Sequence, residues 1–117
     1  MMTDKLMFTS QTRNGIVRSL VPKSEIFLVK ADAKYLVFYT QLAEHVHVDS
    51  LTRLEASWGD DWIRVHRNAL VRKATISAIR QGNANIELTL QFGSRRETVW
   101  VSRRLAPEVR KLFKLCK

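Results

Sequence analysis

Between Trp62 and Lys73, in WIRVHRNALVRK, the residues Arg64, His66, Arg67, Arg72 and Lys73 stand without an acid inside an apolar frame of Trp62, Ile63, Val65, Leu70 and Val71. Read as one strand, this alternation buries Trp62 or Ile63 and aims the basic side chains at something. Two further clusters have the same character. VSRR places Ser102, Arg103 and Arg104 where a strand hands over to a helix, and DAKY places Lys34 at a turn between two strands. Arginine and lysine fork onto guanine edges, and asparagine, here Asn68 beside Arg67, onto adenine. Serine hydroxyls and backbone N–H groups hold phosphates. The plainer reading is a basic face that meets only water.

Other chemistries find little support. There is no G-x-S-x-G, no P-loop, and no pair of histidines at metal-binding helical spacing. His45 and His47 share a strand face and could hold zinc, but no third ligand is evident, and two surface histidines are the commoner case. Asp60–Asp61 reads as an acidic loop after Trp58–Gly59, and the tryptophans and phenylalanines read as core and anchor residues. No enzyme, metal or cofactor is expected. Cys116 is the only cysteine, so neither an internal disulfide nor a cysteine-based zinc site can form, and a cytoplasmic home is the default. No apolar run approaches the roughly 18–20 residues of a membrane span, and the first residues lack the layout of a secretory signal.

The charge distribution strengthens the polyanion reading. The 117 residues carry a formal charge of +9 with 45% hydrophobic residues, a balance that suits a globular domain with a polyanionic partner. The charge is segregated. From 63 to 80 there are Arg64, Arg67, Arg72, Lys73 and Arg80 and no acid; from 94 to 117 eight Arg or Lys face Glu97 and Glu108 alone. From 44 to 61 the sign reverses, with Glu44, Asp49, Glu55, Asp60 and Asp61 against Arg53. Charge needed only for solubility is better mixed.

The elements that must position these clusters are short. EIFLVKA (25–31), YLVFYT (35–40), EHVHVD (44–49), TISAIR (75–80), NIELTLQF (85–92) and RETVWV (96–101) alternate as strands. QGNAN (81–85) and FGSR (92–95) carry the Gly and Asn of tight reversals, so the strands are antiparallel. DSLTRLEASW (49–58) predicts a short helix capped by Asp49 or Ser50. SRRLAPEVRKLFKL (102–115) predicts a second, with Leu105, Val109, Leu112 and Phe113 on one stripe, Pro107 and Glu108 at its start and Lys111 and Lys114 at its end. The expected fold is mostly β, small antiparallel sheets with a short internal helix and a C-terminal one. TSQTRNG (9–15) is linker-like, so residues 1–14 are expected as an N-terminal segment or linker and 15–117 as the single domain.

VPKSEIFLVKADAKYLVFYT, then LTRLEASWGDDWIRVHRNALV, then VSRRLAPEVRKLF closely resemble a LytTR-type DNA-binding domain, particularly the output domains of AlgR-like bacterial response regulators. The resemblance runs from about Gly15 to Phe113, and the order of the A-D-x-K-Y, W-x-R-x-H-R and V-S-R-R pieces makes it specific. It implies a sequence-specific regulator of transcription that reads double-stranded DNA with loops in successive major grooves. Carried over by position, the DNA-binding residues are Lys34; then Arg67 with His66 and Asn68; then Arg104 with Ser102 and Arg103. Arg64 would hold phosphate or brace its strand, and Asn68 stands where many relatives have serine. The resemblance implies paired direct repeats as the site. A monomer is expected in solution, since no heptad seam appears and +9 is self-repelling, with two copies on DNA. The response-regulator relatives carry a receiver domain, for which 117 residues leave no room, so the expectation is either an output domain separated from its receiver or a stand-alone member. The competing readings are a basic β-rich RNA-binding module and a small domain docking an acidic protein.

Overall fold

A strand covered on both faces loses its alternation and reads as a continuous apolar run. Phe27-Leu28-Val29 and Ala69-Leu70-Val71 are such runs, and all six residues are buried. Leu28 and Val29, with Phe27 just before them, lie on the middle strand of the main sheet, and 69–71 on a strand beside it. The computed structural model describes residues 5–82 and 85–114. Its elements are β1 (Lys5–Thr12), β2 (Gly15–Pro22), β3 (Leu28–Asp32), β4 (Tyr35–Tyr39), β5 (Glu44–His47), α1 (Leu51–Trp58), β6 (Trp62–His66), β7 (Ala69–Arg72), β8 (Ile76–Gln81), β9 (Ile86–Phe92), β10 (Arg95–Val101) and α2 (Ala106–Phe113). The mostly β fold with one internal and one C-terminal helix is as expected from the sequence. All pairings are antiparallel: a five-stranded sheet β5-β4-β3-β7-β6, a three-stranded sheet β10-β9-β8, and the hairpin β1-β2.

The register sorts the five-stranded sheet into two faces. Val29, Phe38 and Leu70 share a row and pack with Leu51 and Leu54 of α1, Phe8 of β1 and Trp62 in one core. Leu28 and Val71 face the other way, against Leu88, Leu90 and Val99 of the three-stranded sheet and Val109 of α2. The sheet is the middle layer, which explains why the runs 27–29 and 69–71 are buried without alternation.

Arg95 fastens two of these layers. Its guanidinium donates to the carbonyls of Thr40 (3.0 Å) and Ala43 (3.2 Å) and pairs with Glu44 (2.7 Å) and Glu97 (3.0 Å), so a residue counted among the basic clusters serves the fold. α1 is capped by Ser50, whose side chain accepts from the Arg53 N–H. The Asp49 carboxylate accepts from the Ser50 N–H (2.7 Å) and Arg53 Nε (2.7 Å), and the Arg53 hydrogen bond holds its pKa below the usual value. α2 starts at Ala106 with Pro107 in its first turn and ends on Lys114 in a left-handed conformation (φ 55°). Of the expected stripe, Val109 is buried and Leu105 and Phe113 pack on the core, whereas Leu112 is largely exposed.

Three local expectations change. The run 62–73 is not one strand but the hairpin β6–β7, reversing at Arg67–Asn68. Strand β3 starts at Leu28 rather than Glu25, because Lys23–Glu25 close a 3-10 turn through the Ile26 N–H to Lys23 carbonyl bond (3.0 Å). The linker-like stretch 9–15 holds the end of β1 and the turn into β2. What ties this hairpin down is Phe8, buried against Phe38 (ring centroids 5.1 Å) and His45 (4.8 Å). The QGNAN reversal has residues 83 and 84 outside the described residues, as are Leu115 and Cys116.

Candidate nucleic-acid interface

Two turns leave the same end of the five-stranded sheet. β3 runs into the Ala33–Lys34 turn and β7 emerges from the Arg67–Asn68 turn, and the two strands meet where the Ala31 N–H donates to the Asn68 carbonyl (2.9 Å). Ala33 takes a left-handed φ of 56°, and Lys34 beside it is exposed.

Arg64 is what shapes the second turn. Its guanidinium donates from Nε to the His66 carbonyl (3.0 Å) and from Nη2 to the Arg67 carbonyl (2.6 Å), while Nη1 pairs with Glu55 of α1 (3.0 Å). One planar fork thus gathers two turn carbonyls and ties them to a helix, which lysine could not do. Its side chain is only 17% exposed. Of the two roles expected for Arg64, the geometry is that of a brace. Within the turn the Asn68 N–H donates to His66 Nδ1 (3.1 Å), which makes Nδ1 the acceptor and leaves Nε2 to carry the proton of the neutral ring.

The third cluster is tied to the same place. The Ser102 N–H donates to the Val65 carbonyl (2.8 Å), at the irregularity in register between Arg64 and His66, and its own carbonyl accepts from Leu105 (3.1 Å). The loop before α2 therefore sits against the end of β6. His66, Arg67, Ser102 and Arg104 line one cleft of about 460 Å³. Asn68 lines an adjoining cleft of about 210 Å³ with Lys30, His66, Ala69, Thr98, Val99 and Trp100. Arg103 is exposed on the loop outside both clefts. Sequence and fold bring seven of the eight residues to one end of the molecule, with Arg64 beneath them.

Partnering separates the cations. Arg53, Arg64 and Arg95 take up Asp49, Glu55, Glu44 and Glu97. Arg72 is drawn inward, donating to the Ile26 carbonyl (2.9 Å) and lying over the Trp62 ring (4.7 Å), and burial pushes its pKa down. Lys34, Arg67, Arg103 and Arg104 have no side-chain hydrogen bond or ion pair among the described residues. Their charge is available to an anion. His45 and His47 have packing roles, His45 stacked on Phe8 and His47 edge-on to it at 6.0 Å, and among the described residues no three His, Cys, Asp or Glu gather as metal ligands.

Lys30, Thr98 and Trp100 escaped the sequence reading. Trp100 had a signal: in RETVWV, Val99 and Val101 point inward, so the apolar residue between them points out.

A β domain that presents free cations on turns at one end of a sheet is suited to meet an extended anion through loops. The chain belongs to the LytTR family, the LytTr DNA-binding domain, whose model matches residues 18–114; this is a family of DNA-binding domains and not of enzymes. It is 33% identical over 106 residues to the positive alginate biosynthesis regulatory protein of Pseudomonas aeruginosa. That match takes in 90% of this chain and 42% of the relative, so the chain spans less than half of the relative's length. Among solved structures it resembles the LytTr DNA-binding domain of a Bacillus cereus protein described as a methyl-accepting/DNA response regulator. The TM-score is 0.74 and the identity 28%, with 92% of this chain and 95% of that one covered. Among the described residues no helix is long and apolar enough to cross a membrane.

Proposed function

We propose that this domain is the DNA-reading part of a bacterial transcriptional regulator, binding double-stranded DNA sequence-specifically with its turns in successive major grooves. The observation that carries the reading is the set of unpartnered cations, Lys34, Arg67 and Arg104, on neighbouring loops at one end of the five-stranded sheet. Arg67 and Arg104 read base edges, with His66 and Asn68 beside the first; Ser102 and Arg103 hold phosphate; Lys34 supplies the other loop. The reading unit is residues 15–117, and β1 (Lys5–Thr12) joins it by pairing with β2.

The rest of the reading follows the relatives. A cytoplasmic two-component response regulator of this kind places the domain after a receiver, and two copies, monomeric in free solution, occupy paired direct repeats. Bending such a site by 40–90° over 20–30 base pairs costs of order 1–6 kcal/mol, which added phosphate contacts offset.

Selection of bound sequences from a random duplex pool, with structured RNA as competitor, is the test. Enrichment of one repeated motif, resisted poorly by RNA, supports the proposal. RNA competing as well as the selected duplex favours an RNA-binding module, and no enrichment at all favours docking to an acidic protein. Light scattering with no DNA, one repeat and two repeats decides the stoichiometry.

A further inference from the structure

Two of the three tryptophans are accounted for by the fold. Trp62 is 5% exposed, its ring 4.7 Å from that of Trp58, and Trp58 also packs towards Phe38 (6.1 Å). Trp100 is 54% exposed and meets no aromatic ring among the described residues. It lies on the edge strand β10, opposite Glu87 of β9, whose carboxylate is drawn towards Arg80 (3.8 Å). It also lines the cleft shared with Lys30, His66, Asn68, Ala69, Thr98 and Val99. The cleft shares His66 with the one lined by Arg67 and Arg104, and its own cation, Lys30, holds its ammonium over the Tyr39 ring (5.5 Å). An indole left bare there calls for an occupant, because tryptophan concentrates at interfaces where one side is apolar and the other wet.

Resting on the DNA reading above, we infer that Trp100, with Thr98 and Lys30, forms a shelf for the sugar–phosphate backbone of the bound duplex. The indole face takes the C–H face of a deoxyribose, and the Thr98 hydroxyl and the Lys30 ammonium flank the phosphate that follows. A base is the weaker occupant. It would have to leave its stack at a cost of a few kcal/mol, and the apolar walls of Ala69, Val99 and Trp100 offer little with which to read its edge.

The shelf has a signature that the cationic residues lack. Because the ring contact is apolar and every nucleotide carries the same sugar, Trp100→Ala lowers affinity for the preferred site and for random duplex by the same factor. That factor is roughly 5- to 30-fold, and the salt dependence of binding is unchanged. Trp100→Phe recovers most of the loss.

The experiment begins with the unmutated domain. Its binding to the selected duplex is measured first, since a parent that binds no duplex refutes the DNA reading itself. Acrylamide quenching of tryptophan fluorescence then compares free and DNA-bound domain, with Trp100→Phe as the blank that retains only Trp58 and Trp62. Loss of the readily quenched component on DNA supports the shelf. A component equally accessible in the complex overturns it, whatever the stability of any variant. Titrations of Trp100→Ala follow. A loss confined to the preferred site overturns the sugar–phosphate assignment, and so does strong brightening of a 2-aminopurine placed in the site, which reports an unstacked base.

Discussion

Arg64→Ala tests whether the reading turn is held from within. The guanidinium makes two charge-assisted bonds to turn carbonyls and one ion pair to Glu55. Bonds to a charged group contribute about 1.5–3 kcal/mol each where water cannot replace them. Here the carbonyls belong to a surface turn and recover water, and the half-exposed Glu55 contributes only about 0.2–1 kcal/mol. The expected cost is therefore about 1–3 kcal/mol, well under the sum of its parts, which lowers the melting temperature by roughly 4–12 °C. Affinity for the preferred duplex falls as well, roughly 5- to 30-fold, as the turn carrying Arg67 loses its shape. If Arg64 acts as a brace, the slope of log affinity against log salt is unchanged, whereas a residue that neutralises one phosphate takes about 0.9 from that slope when removed. Arg64→Lys behaves like alanine in thermal melts, since an ammonium cannot span both carbonyls. Calorimetry and a salt titration decide the matter together. A variant that melts like the parent but loses one unit of salt slope would refute the brace and make Arg64 a phosphate contact.

Four other outcomes are expected. If the free cations meet about 6–10 phosphates, affinity falls about 10³–10⁵-fold between 50 and 200 mM salt, and a flat response in fluorescence titrations would remove the basic end as the binding surface. Arg67→Ala and Arg104→Ala each cost about 1–3 kcal/mol on the preferred duplex and relax base preference there. Lys73→Ala, at the opposite end of β7 from the reading turn, weakens all duplexes alike or none; equal losses on specific and random DNA for all three would take both arginines out of the reading set. Trp62→Ala opens a cavity beneath α1 and costs about 3–5 kcal/mol, seen as a lower melting temperature; an unchanged melt would put the ring on the DNA side. Asp49→Asn destabilises the start of α1 at neutral pH. The Asp49 pKa is lowered from its ordinary 3.8, so its contribution is present above that value and fades as pH falls through the lower folded one. Parent and variant melts should therefore begin to converge as pH falls below 3.8 and coincide once it is below the folded value, and a gap that never narrows on acidification would exclude the ion pair as its source.

How far the sequence could be read depended on whether a residue's role was local. Helix α1 was legible because its cap, Ser50, and its apolar pair, Leu51 and Leu54, lie within one turn of each other. The turn chemistry of the β9–β10 reversal was legible for the same reason, Gly93 taking a φ of 61°. The β6–β7 reversal was not. Arg67–Asn68 carries no glycine or proline, and what turns the chain there is a guanidinium three residues back, itself anchored on a helix nine residues earlier. Alternation also misled in β7, where both faces are covered and Ala69, Leu70 and Val71 are buried together. The β1–β2 hairpin escaped because its polar, Gly-containing end reads as linker, while Phe8 finds its partners in β4 and β5. The site residues were found by motif, and their convergence at one end of the sheet depends on pairings between strands some forty residues apart.

The acid-free run that first suggests a polyanion partner turns out to contain two kinds of cation. Arg64 and Arg72 lie on the strands, and each points its fork at backbone carbonyls, of the turn in one case and of Lys23 and Ile26 in the other. Arg67 lies at the reversal and makes no side-chain hydrogen bond or ion pair among the described residues. The division has a physical basis. A sheet edge and a tight turn leave carbonyls that a rigid five-donor group can gather, so arginines near them are captured by the fold. At the apex of the turn the Arg67 guanidinium bonds no carbonyl among the described residues, and the charge stays outside. Net charge alone therefore overstates the binding surface, because the arginines that build the turn and those that it presents enter the count alike. The useful quantity is the number of cations left without partners, and here those of the site lie on the loops that the fold gathers at one end.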